Sequence, residues 1–324
     1  MSEMTAIRAI NQALRDEMAR DERVMVIGED VAEGGPYGAT RDLVDAFGRD
    51  RVRDTPISEG TVMGVAIGLA LAGFRPVVEI MFIDFVTLAL DQLANQGAKA
   101  RYMSGGQLRV PLVVRTQGGA GVRSGAQHSQ SLEAWLAHIP GLAVAMPATA
   151  ADAAGLLLSA IRDDDPVVLV ENKAIYYRRE DVPVPFAAVP LGAAATRRPG
   201  RDVTVIATSR LVAEALAAAD DLASEGIEVE VVDPRTIQPL DTDAILSSVS
   251  RTGRCVVAHE AVRSFGVGAE ITAVVQEGAL DRLQAPVLRV GAPFTPVPTS
   301  PPLEDAYLVG RAEIADAVRE AMRW

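Results

Sequence analysis

Thiols, histidines and aromatic rings are scarce in this sequence. Its 324 residues include one cysteine, three histidines and 4% aromatic side chains. A single thiol, Cys255, can form neither an internal disulfide nor a cysteine metal cluster. Because Cys255 stands in the apolar run Cys255-Val256-Val257-Ala258, we expect a buried, small hydrophobic residue there.

Positive charge is also in deficit. The chain has 31 basic and 43 acidic residues, a net charge of -12 and a pI near 4.8. Phosphate binding needs a basic face, so this balance argues against a nucleic-acid partner and disfavours an anionic membrane surface. The longest uncharged apolar stretch, residues 61–74, is too short to span a bilayer. The N-terminus lacks the basic and apolar regions of a secretory signal, and we expect a cytoplasmic protein.

Several common catalytic motifs are missing. The sequence has no Gly-x-x-x-x-Gly-Lys-Ser/Thr phosphate loop and no Gly-x-Ser-x-Gly nucleophile elbow. His259-Glu260 is not followed by a second histidine at metalloprotease spacing. Gly266-Val267-Gly268 lacks the remainder of a dinucleotide fingerprint. These absences argue against a P-loop nucleotide-binding protein, a hydrolase with a nucleophile elbow and a zinc metalloprotease.

What the chain does contain is an alternation of helix-like and strand-like segments, with 49% hydrophobic residues over 34.2 kDa. The alternation predicts an α/β protein whose sheets are mostly parallel and flanked by helices. Pro183, Pro185, Pro190 and Pro199 interrupt the pattern, which restarts at Val203. We therefore predict two domains, residues 1–182 and 201–324, joined by a linker over residues 183–200.

A lone carboxylate, Glu59, stands where a short strand-like segment passes into a long Gly/Ala-rich helix. Ser58 is a suitable N-cap residue for that helix. The position lies on the carboxyl side of a strand, where open α/β sheets bind ligands, and the helix dipole favours negative charge there. The alternative is an ordinary first-turn acid, so neighbouring segments must decide between the two.

Two further segments give Glu59 a context. One reads Met81-Phe82-Ile83-Asp84-Phe85, and the other reads Ala126-Gln127-His128-Ser129-Gln130-Ser131. In this order and spacing, the three segments resemble the beta subunit of thiamine-diphosphate-dependent 2-oxo acid dehydrogenases. That family includes the pyruvate, branched-chain and acetoin types and has a transketolase-like fold. The resemblance covers nearly the whole chain and implies a pyrimidine-binding domain followed by a transketolase C-terminal-like domain.

The resemblance implies roles for particular residues. Glu59 would bind the ring nitrogen of the cofactor's aminopyrimidine and control its proton. Ile57, Met81 and Phe85 would form the aminopyrimidine pocket, although a Phe and a Met beside a strand end are more often core residues. His128 would donate a proton or position the substrate or the lipoyl group, since histidine titrates near neutral pH.

The resemblance also implies partners. The Gly-Asp-Gly…Asn pattern that holds magnesium and diphosphate in thiamine-diphosphate enzymes is missing. In the family an alpha subunit binds the diphosphate and Mg²⁺, so the implied unit is an α2β2 heterotetramer. Its reaction would be oxidative decarboxylation of a small 2-oxo acid, with acyl transfer to the lipoyl groups of a dihydrolipoyl acyltransferase core.

A monovalent cation, usually potassium, is a further expectation from the resemblance. The matching positions are Leu112, Ala160, Ile161, Asp163 and Asp165. Carbonyl and carboxylate oxygens suit a hard cation. Asp165 differs from the Asn of some relatives, and the alternative reading of Asp163-Asp164-Asp165-Pro166 is an acidic turn that closes a helix.

Three alternatives remain for the function. The segments around residues 81–85 and 102–106 favour pyruvate or acetoin over branched-chain substrates, with pyruvate preferred. A split transketolase-like subunit that transfers a ketol group is a second enzymatic possibility, weakened by the small number of histidines. A scaffold subunit without chemistry is the third, and Glu59 and His128 argue against it.

Overall fold

The computed structural model describes every residue from Met1 to Trp324, and its internal contacts divide the chain into two units. The first unit comprises residues 1–118 and 135–191, and the second comprises residues 119–134 and 192–324. The second unit thus includes the segment of residues 119–134, which the sequence-based division assigned to the first domain. The sequence-based division into a domain of residues 1–182, a linker of residues 183–200 and a domain of residues 201–324 remains a prediction.

The first unit is built mainly from parallel strands and helices. Its strands are β1 (Ser2–Thr5), β2 (Val24–Gly28), β3 (Val52–Asp54), β4 (Arg75–Ile80), β5 (Val113–Gly118), β6 (Ala143–Ala145), β7 (Val167–Asn172) and β8 (Arg179–Val182). Its helices are α1 (Ala6–Arg20), α2 (Leu43–Phe47), α3 (Glu59–Leu71), α4 (Ile83–Asp91), α5 (Ala100–Met103) and α7 (Ala150–Arg162), and α6 (Glu133–Ala137) starts in the second unit. A π-helix (Gln92–Gly97) and a 3₁₀ helix (Lys173–Ile175) complete it.

Six strands of this unit form a parallel sheet in the order β6-β7-β5-β4-β2-β3. The central strands are apolar and buried, as expected for a parallel sheet covered on both faces. A separate antiparallel pair joins β1 to β8. The predicted parallel sheet flanked by helices is therefore confirmed for this unit.

Helices α1 and α7 pack against each other and bury one face of the sheet. Both begin at a threonine whose side chain accepts a hydrogen bond from the first turn, Thr5 from the N–H of Arg8 and Thr149 from that of Asp152. Their buried faces consist mostly of Ala, Leu and Ile, and small side chains allow close approach of the two helices.

The second unit repeats the architecture with its own sheet. Its strands are β9 (Ala195–Arg198), β10 (Val203–Ala207), β11 (Val229–Asp233), β12 (Thr236–Gln238), β13 (Cys255–Val262) and β14 (Leu288–Ala292). Its helices are α8 (Leu211–Ala223), α9 (Thr242–Thr252), α10 (Val267–Ala279), α11 (Pro301–Tyr307) and α12 (Arg311–Ala321), with a 3₁₀ helix at Leu280–Arg282. Strands β14, β13, β10 and β11 are parallel in that order, and β9 joins β11 antiparallel.

The core of the second unit contains the single cysteine and one of the three histidines of the chain. Cys255 is fully buried on β13, which confirms the prediction, and burial raises the pKa of its thiol to about 12. His259, on the same strand, is also fully buried, and burial lowers its pKa to about 4. A Cβ atom at Gly266 or Gly268 would lie 2.5 or 2.6 Å from the imidazole ring, so glycine is needed at both positions.

The helical stretch that begins at Ile83 is divided into α4, the π-helix and α5. Asn95 and Gly97, both weak helix formers, lie in the π-helix. One local expectation from the sequence differs from the structure. Ser58 occupies the N-cap position of α3, but its side chain makes no capping hydrogen bond. No helix combines the length and the apolar character needed to cross a bilayer.

Candidate active site

A cavity opens where three neighbouring strands of the first sheet end. Strands β4, β2 and β3 are adjacent and parallel, so the residues that follow them meet at one edge of the sheet. Such carboxyl ends are the usual ligand sites of open α/β sheets. The lining residues are Glu29, Thr55, Pro56, Ser58, Glu59, Val62, Glu79, Ile80 and Met81.

Glu59 is the first residue of α3, and its side chain is half-buried at this cavity. Its place at the helix N-terminus favours the carboxylate by about 0.3–1 kcal/mol. A second acid, Glu29, follows β2 and lines the same cavity. Burial raises the pKa of Glu29, and the charges of Asp30 and Glu59 raise it further. The two carboxyl groups therefore lie close enough to interact, and both can face a ligand bound in the cavity.

Of the three apolar residues predicted to form the pocket, only one lines the cavity. Met81 follows β4 and lines the cavity with Glu59. Ile57 is 74% exposed, on the connection that leads into α3. Phe85 lies on α4, half-buried and outside the lining; its ring is 5.9 Å from that of Phe82 in an edge-to-face arrangement. The structure thus brings Glu59 and Met81 to one cavity and leaves Ile57 and Phe85 beyond it.

Two acids of the cavity, Glu29 and Glu79, were not singled out by sequence reasoning. Glu29 directly follows a buried strand, which is the same signal that drew attention to Glu59. Glu79 is a charged residue inside the apolar strand β4 and is almost completely buried. Buried carboxylates are rare unless paired, so a charge in an apolar strand was a usable signal.

The partner of Glu79 is Arg115, which is fully buried on β5. Arg115 Nη1 lies 2.7 Å from Glu79 Oε2, and Arg115 Nε lies 2.8 Å from Glu171 Oε1. The Tyr176 hydroxyl donates to the carboxylate of Glu171. Burial raises the pKa of Glu79, while the charge of Arg115 opposes that rise. One guanidinium thus compensates two carboxylates, one of which reaches the cavity.

His128 belongs to the second unit, within residues 119–134, whereas Glu59 belongs to the first. The imidazole is half-buried, and the backbone N–H of His128 donates to the Gly125 carbonyl at 3.3 Å. Gly125 has a φ of +75°, and a Cβ atom there would lie 2.6 Å from Thr299 Oγ1. The turn before His128 therefore depends on glycine.

The residues predicted to bind a monovalent cation already have partners within the chain. The Leu112 carbonyl accepts from the N–H of Val167 at 2.9 Å. Arg75 Nη1 donates to the carbonyls of Ile161 and Asp163, at 3.0 and 2.7 Å. Ala160 lies in the last turn of α7, and the Asp165 carboxylate pairs with Arg101. No group of three or more His, Cys, Asp or Glu side chains is arranged to hold a metal ion.

Comparison with known families assigns both units. Residues 2–178 match the model of the transketolase pyrimidine-binding domain, and residues 192–314 match that of the transketolase C-terminal domain. The chain is therefore a two-domain protein of the transketolase type.

Full-length relatives define the family more closely. The beta subunit of acetoin:2,6-dichlorophenolindophenol oxidoreductase from Bacillus subtilis (strain 168) is 46% identical, with 97% of this chain and 96% of the relative covered. The beta subunit of the pyruvate dehydrogenase E1 component from the same organism is 44% identical, with both chains fully covered. This chain belongs to the family of 2-oxo acid dehydrogenase and acetoin oxidoreductase beta subunits, which confirms the resemblance seen in the sequence.

A solved structure supports the fold alone. A chain described as "Split gene transketolase, inactive beta4 tetramer" superposes with a TM-score of 0.83 at 23% identity, covering 99% of this chain and 98% of the other. The predicted transketolase-like fold of two α/β domains is confirmed.

Replacing Arg115 with methionine should strongly destabilise the protein. The change leaves Glu79 and Glu171 buried without their cation, at a cost of about 3–5 kcal/mol in the free energy of unfolding. Urea denaturation at neutral pH measures this loss, with the exposed Arg8→Met as a control expected to change stability by less than about 0.5 kcal/mol. A loss below about 1 kcal/mol for Arg115→Met would mean that the two carboxylates do not depend on Arg115.

Proposed function

We propose that this chain is the beta subunit of a thiamine-diphosphate-dependent enzyme that oxidatively decarboxylates a small 2-oxo acid, with pyruvate favoured. The observation that carries the proposal is the half-buried Glu59 at the N-terminus of α3, in a cavity at the carboxyl ends of β2, β3 and β4. Membership of the beta-subunit family supports the same assignment.

Glu59 would bind the ring nitrogen of the cofactor's aminopyrimidine and hold the proton at that contact. Thiamine diphosphate, when bound, supplies the electron sink that allows the bond to the carboxylate carbon to break. The cavity lining includes no basic side chain, so no cation of this chain competes with the cofactor for the Glu59 carboxyl group.

Apolar residues would orient the heterocycle beside Glu59. Met81 lines the cavity, and a thioether packs favourably on an aromatic ring. Phe85 and Ile57 would complete the pocket from α4 and from the exposed connection before α3. An aromatic contact of this kind contributes roughly 0.5–1.5 kcal/mol beyond the burial of area.

An alpha subunit would supply the part of the site that this chain lacks. The sequence has no Gly-Asp-Gly…Asn pattern, so Mg²⁺ and the diphosphate would be held by that subunit. Apolar side chains are exposed on the two helices that follow the cavity residues, with Leu88 of α4 at 62% and Val65 of α3 at 48%. A Cβ atom at Gly68 of α3 would meet nothing within 4 Å, so contacts within this chain do not explain the small residue. A partner covering this face, in an α2β2 assembly, would explain both observations.

The substrate and the acceptor are further parts of the proposal. Pyruvate and acetoin share an acetyl group next to the bond that breaks, and relatives named for both are 44–46% identical to this chain. The acyl group would pass to the lipoyl groups of a dihydrolipoyl acyltransferase core, in the cytoplasm. The acidic net charge of -12 would favour a basic surface on that partner.

The decisive experiment uses this chain purified together with an alpha subunit that carries the diphosphate motif. Reduction of an artificial electron acceptor is followed with pyruvate, acetoin and 2-oxoisovalerate, each with and without thiamine diphosphate and Mg²⁺. Turnover by the pair, and by neither chain alone, would support the shared site and identify the substrate. A stable complex that is inactive on all three, but transfers ketol groups between sugar phosphates, would replace the proposal with the transketolase alternative.

Glu59→Gln should lower kcat of the paired enzyme by about 10²–10⁴-fold, because the amide can neither take up nor release the proton. The matched control is Glu33→Gln, the same chemical change at an exposed acid of the same unit, which should retain full activity. Unchanged turnover in Glu59→Gln would remove this residue from the catalytic assignment and revive the scaffold alternative.

His128→Gln separates two steps of the proposed reaction. If His128 positions the lipoyl group, the variant should lose at least about tenfold in lipoyl acylation, while reduction of the artificial acceptor changes less. His138→Gln, at an exposed histidine, serves as the control. Equal losses in both assays would instead indicate a role for His128 before acyl transfer, and no loss in either would make it structural.

Potassium binding at Leu112, Ala160, Ile161, Asp163 and Asp165 is the remaining part of the proposal. Carbonyl oxygens have two lone pairs, so those bonded to Arg75 can still coordinate a cation. Bound potassium should raise the midpoint of thermal unfolding in a saturable way in KCl relative to choline chloride at equal ionic strength. Coincident unfolding curves would show that no potassium binds and that arginine side chains, including Arg75 and Arg101, supply the positive charge at this turn.

A further inference from the structure

Two buried glutamates hold the segment of residues 119–134 within the second unit. Glu260 of β13 accepts from the backbone N–H of Ala120 at 2.6 Å. Glu304 of α11 accepts from the N–H of Gly121 at 2.9 Å and also pairs with the Arg123 side chain. The first part of the segment, which leads to His128, is therefore attached by charged hydrogen bonds that are stronger than neutral ones.

The end of the same segment carries a third buried acid, Glu133, in a different situation. Glu133 is 1% exposed, and its carboxyl oxygens have no hydrogen-bond partner outside the residue itself. The titratable groups that face it are Glu260 and Tyr307. Glu260 itself has a cation, because Arg210 Nε lies 2.7 Å from its Oε2 atom.

This environment is unfavourable for a second negative charge. Burial, and then the charge of Glu260, raise the pKa of Glu133 to about 7. Burial, Glu260 and Glu133 together raise that of Tyr307 to about 12, so the phenol stays neutral. Tyr307 packs with Ala120 and Leu308, and this apolar contact lies under the start of the segment.

We propose that Glu133 is a positioning residue that keeps the segment 119–134 in place only while its carboxyl group carries a proton. A neutral carboxyl fits among Glu260, Tyr307 and the apolar contacts, whereas a carboxylate there has no cation and faces another carboxylate. On losing its proton, Glu133 moves toward solvent and loosens the segment. Any effect of this loosening on activity rests on the proposed function of His128. The pH-dependent switch between the ordered and the loosened segment does not depend on that function.

The pKa values of Glu133 in the open and in the ordered segment determine how the stability of the segment changes with pH, and over which range. The pKa of Glu133 rises from an ordinary 4.5 to about 7 in the folded segment, so the ordered segment prefers the protonated form. The contribution of Glu133 is fully present below pH 4.5 and is lost as the pH rises through about 7. Between these values the equilibrium constant for opening increases by about tenfold per pH unit, and above them it levels off.

Hydrogen exchange of the full-length chain measures this opening directly. The amides of Ala120, Gly121 and Arg123, bonded to Glu260 and Glu304, are followed from about pH 5 to 8.5 and corrected for intrinsic exchange. The wild type should show the tenfold rise per unit and then the plateau. Glu133→Gln has nearly the shape of the protonated acid and cannot ionise, so its equilibrium constant for opening should not change with pH. Glu277→Gln, at an exposed acid on α10, should follow the wild type.

Two results would overturn the proposal. One is a wild-type profile without the rise, and the other is a Glu133→Gln profile that keeps it. If the variant does not fold, infrared titration of the wild type decides: a protonated carboxyl band that disappears near pH 7 supports the switch, and its absence at pH 6 refutes it. The expected exchange profile could also be found while the enzyme formed with the alpha subunit is inactive. That result would support the switch and contradict only the proposed function.

Discussion

The first unit depends on one buried cation. Arg115 lies at the centre of a parallel sheet, where its guanidinium compensates Glu79 on one neighbouring strand and Glu171 on the other. Isolated charges in such a place cost several kcal/mol each, so the three residues are tolerated only as a set. Because Glu79 also reaches the cavity, the arrangement that keeps the sheet intact fixes one wall of the candidate site.

The chemistry of the cavity lining suits only one part of the proposed cofactor. Carboxylates from β2, β4 and α3 meet there, and the lining offers no basic group for a diphosphate. A site of this kind can handle a proton and bind the polar edge of a neutral heterocycle, but it repels the anionic end of a phosphorylated cofactor. The chemistry of the lining and the missing diphosphate motif therefore lead to the same proposal of a shared site.

Buried acids have a different use in the second unit. Glu260 and Glu304 each accept backbone N–H groups of the segment 119–134, and each is paired with an arginine. Glu133 is equally buried and lacks such a partner. The contrast among three glutamates shows that the available donors decide whether a buried acid acts as a fixed anchor or as a group sensitive to pH.

Sequence alone determined the α/β class, the presence of two parallel sheets, the burial of Cys255 and the family, because these follow from periodicity and from short ordered motifs. It also drew attention to Glu59, which lines the cavity, because the carboxylate between a strand and a Gly/Ala-rich helix stands in order with two further motifs. Tertiary structure was needed to find Glu29 and Glu79, to pair Arg75 with the carbonyls of Ile161 and Asp163, and to place residues 119–134 with the second unit. These features depend on which strands are neighbours and on which distant side chains, such as Glu260 and Glu304, reach a given backbone group, and periodicity along the chain does not carry that information.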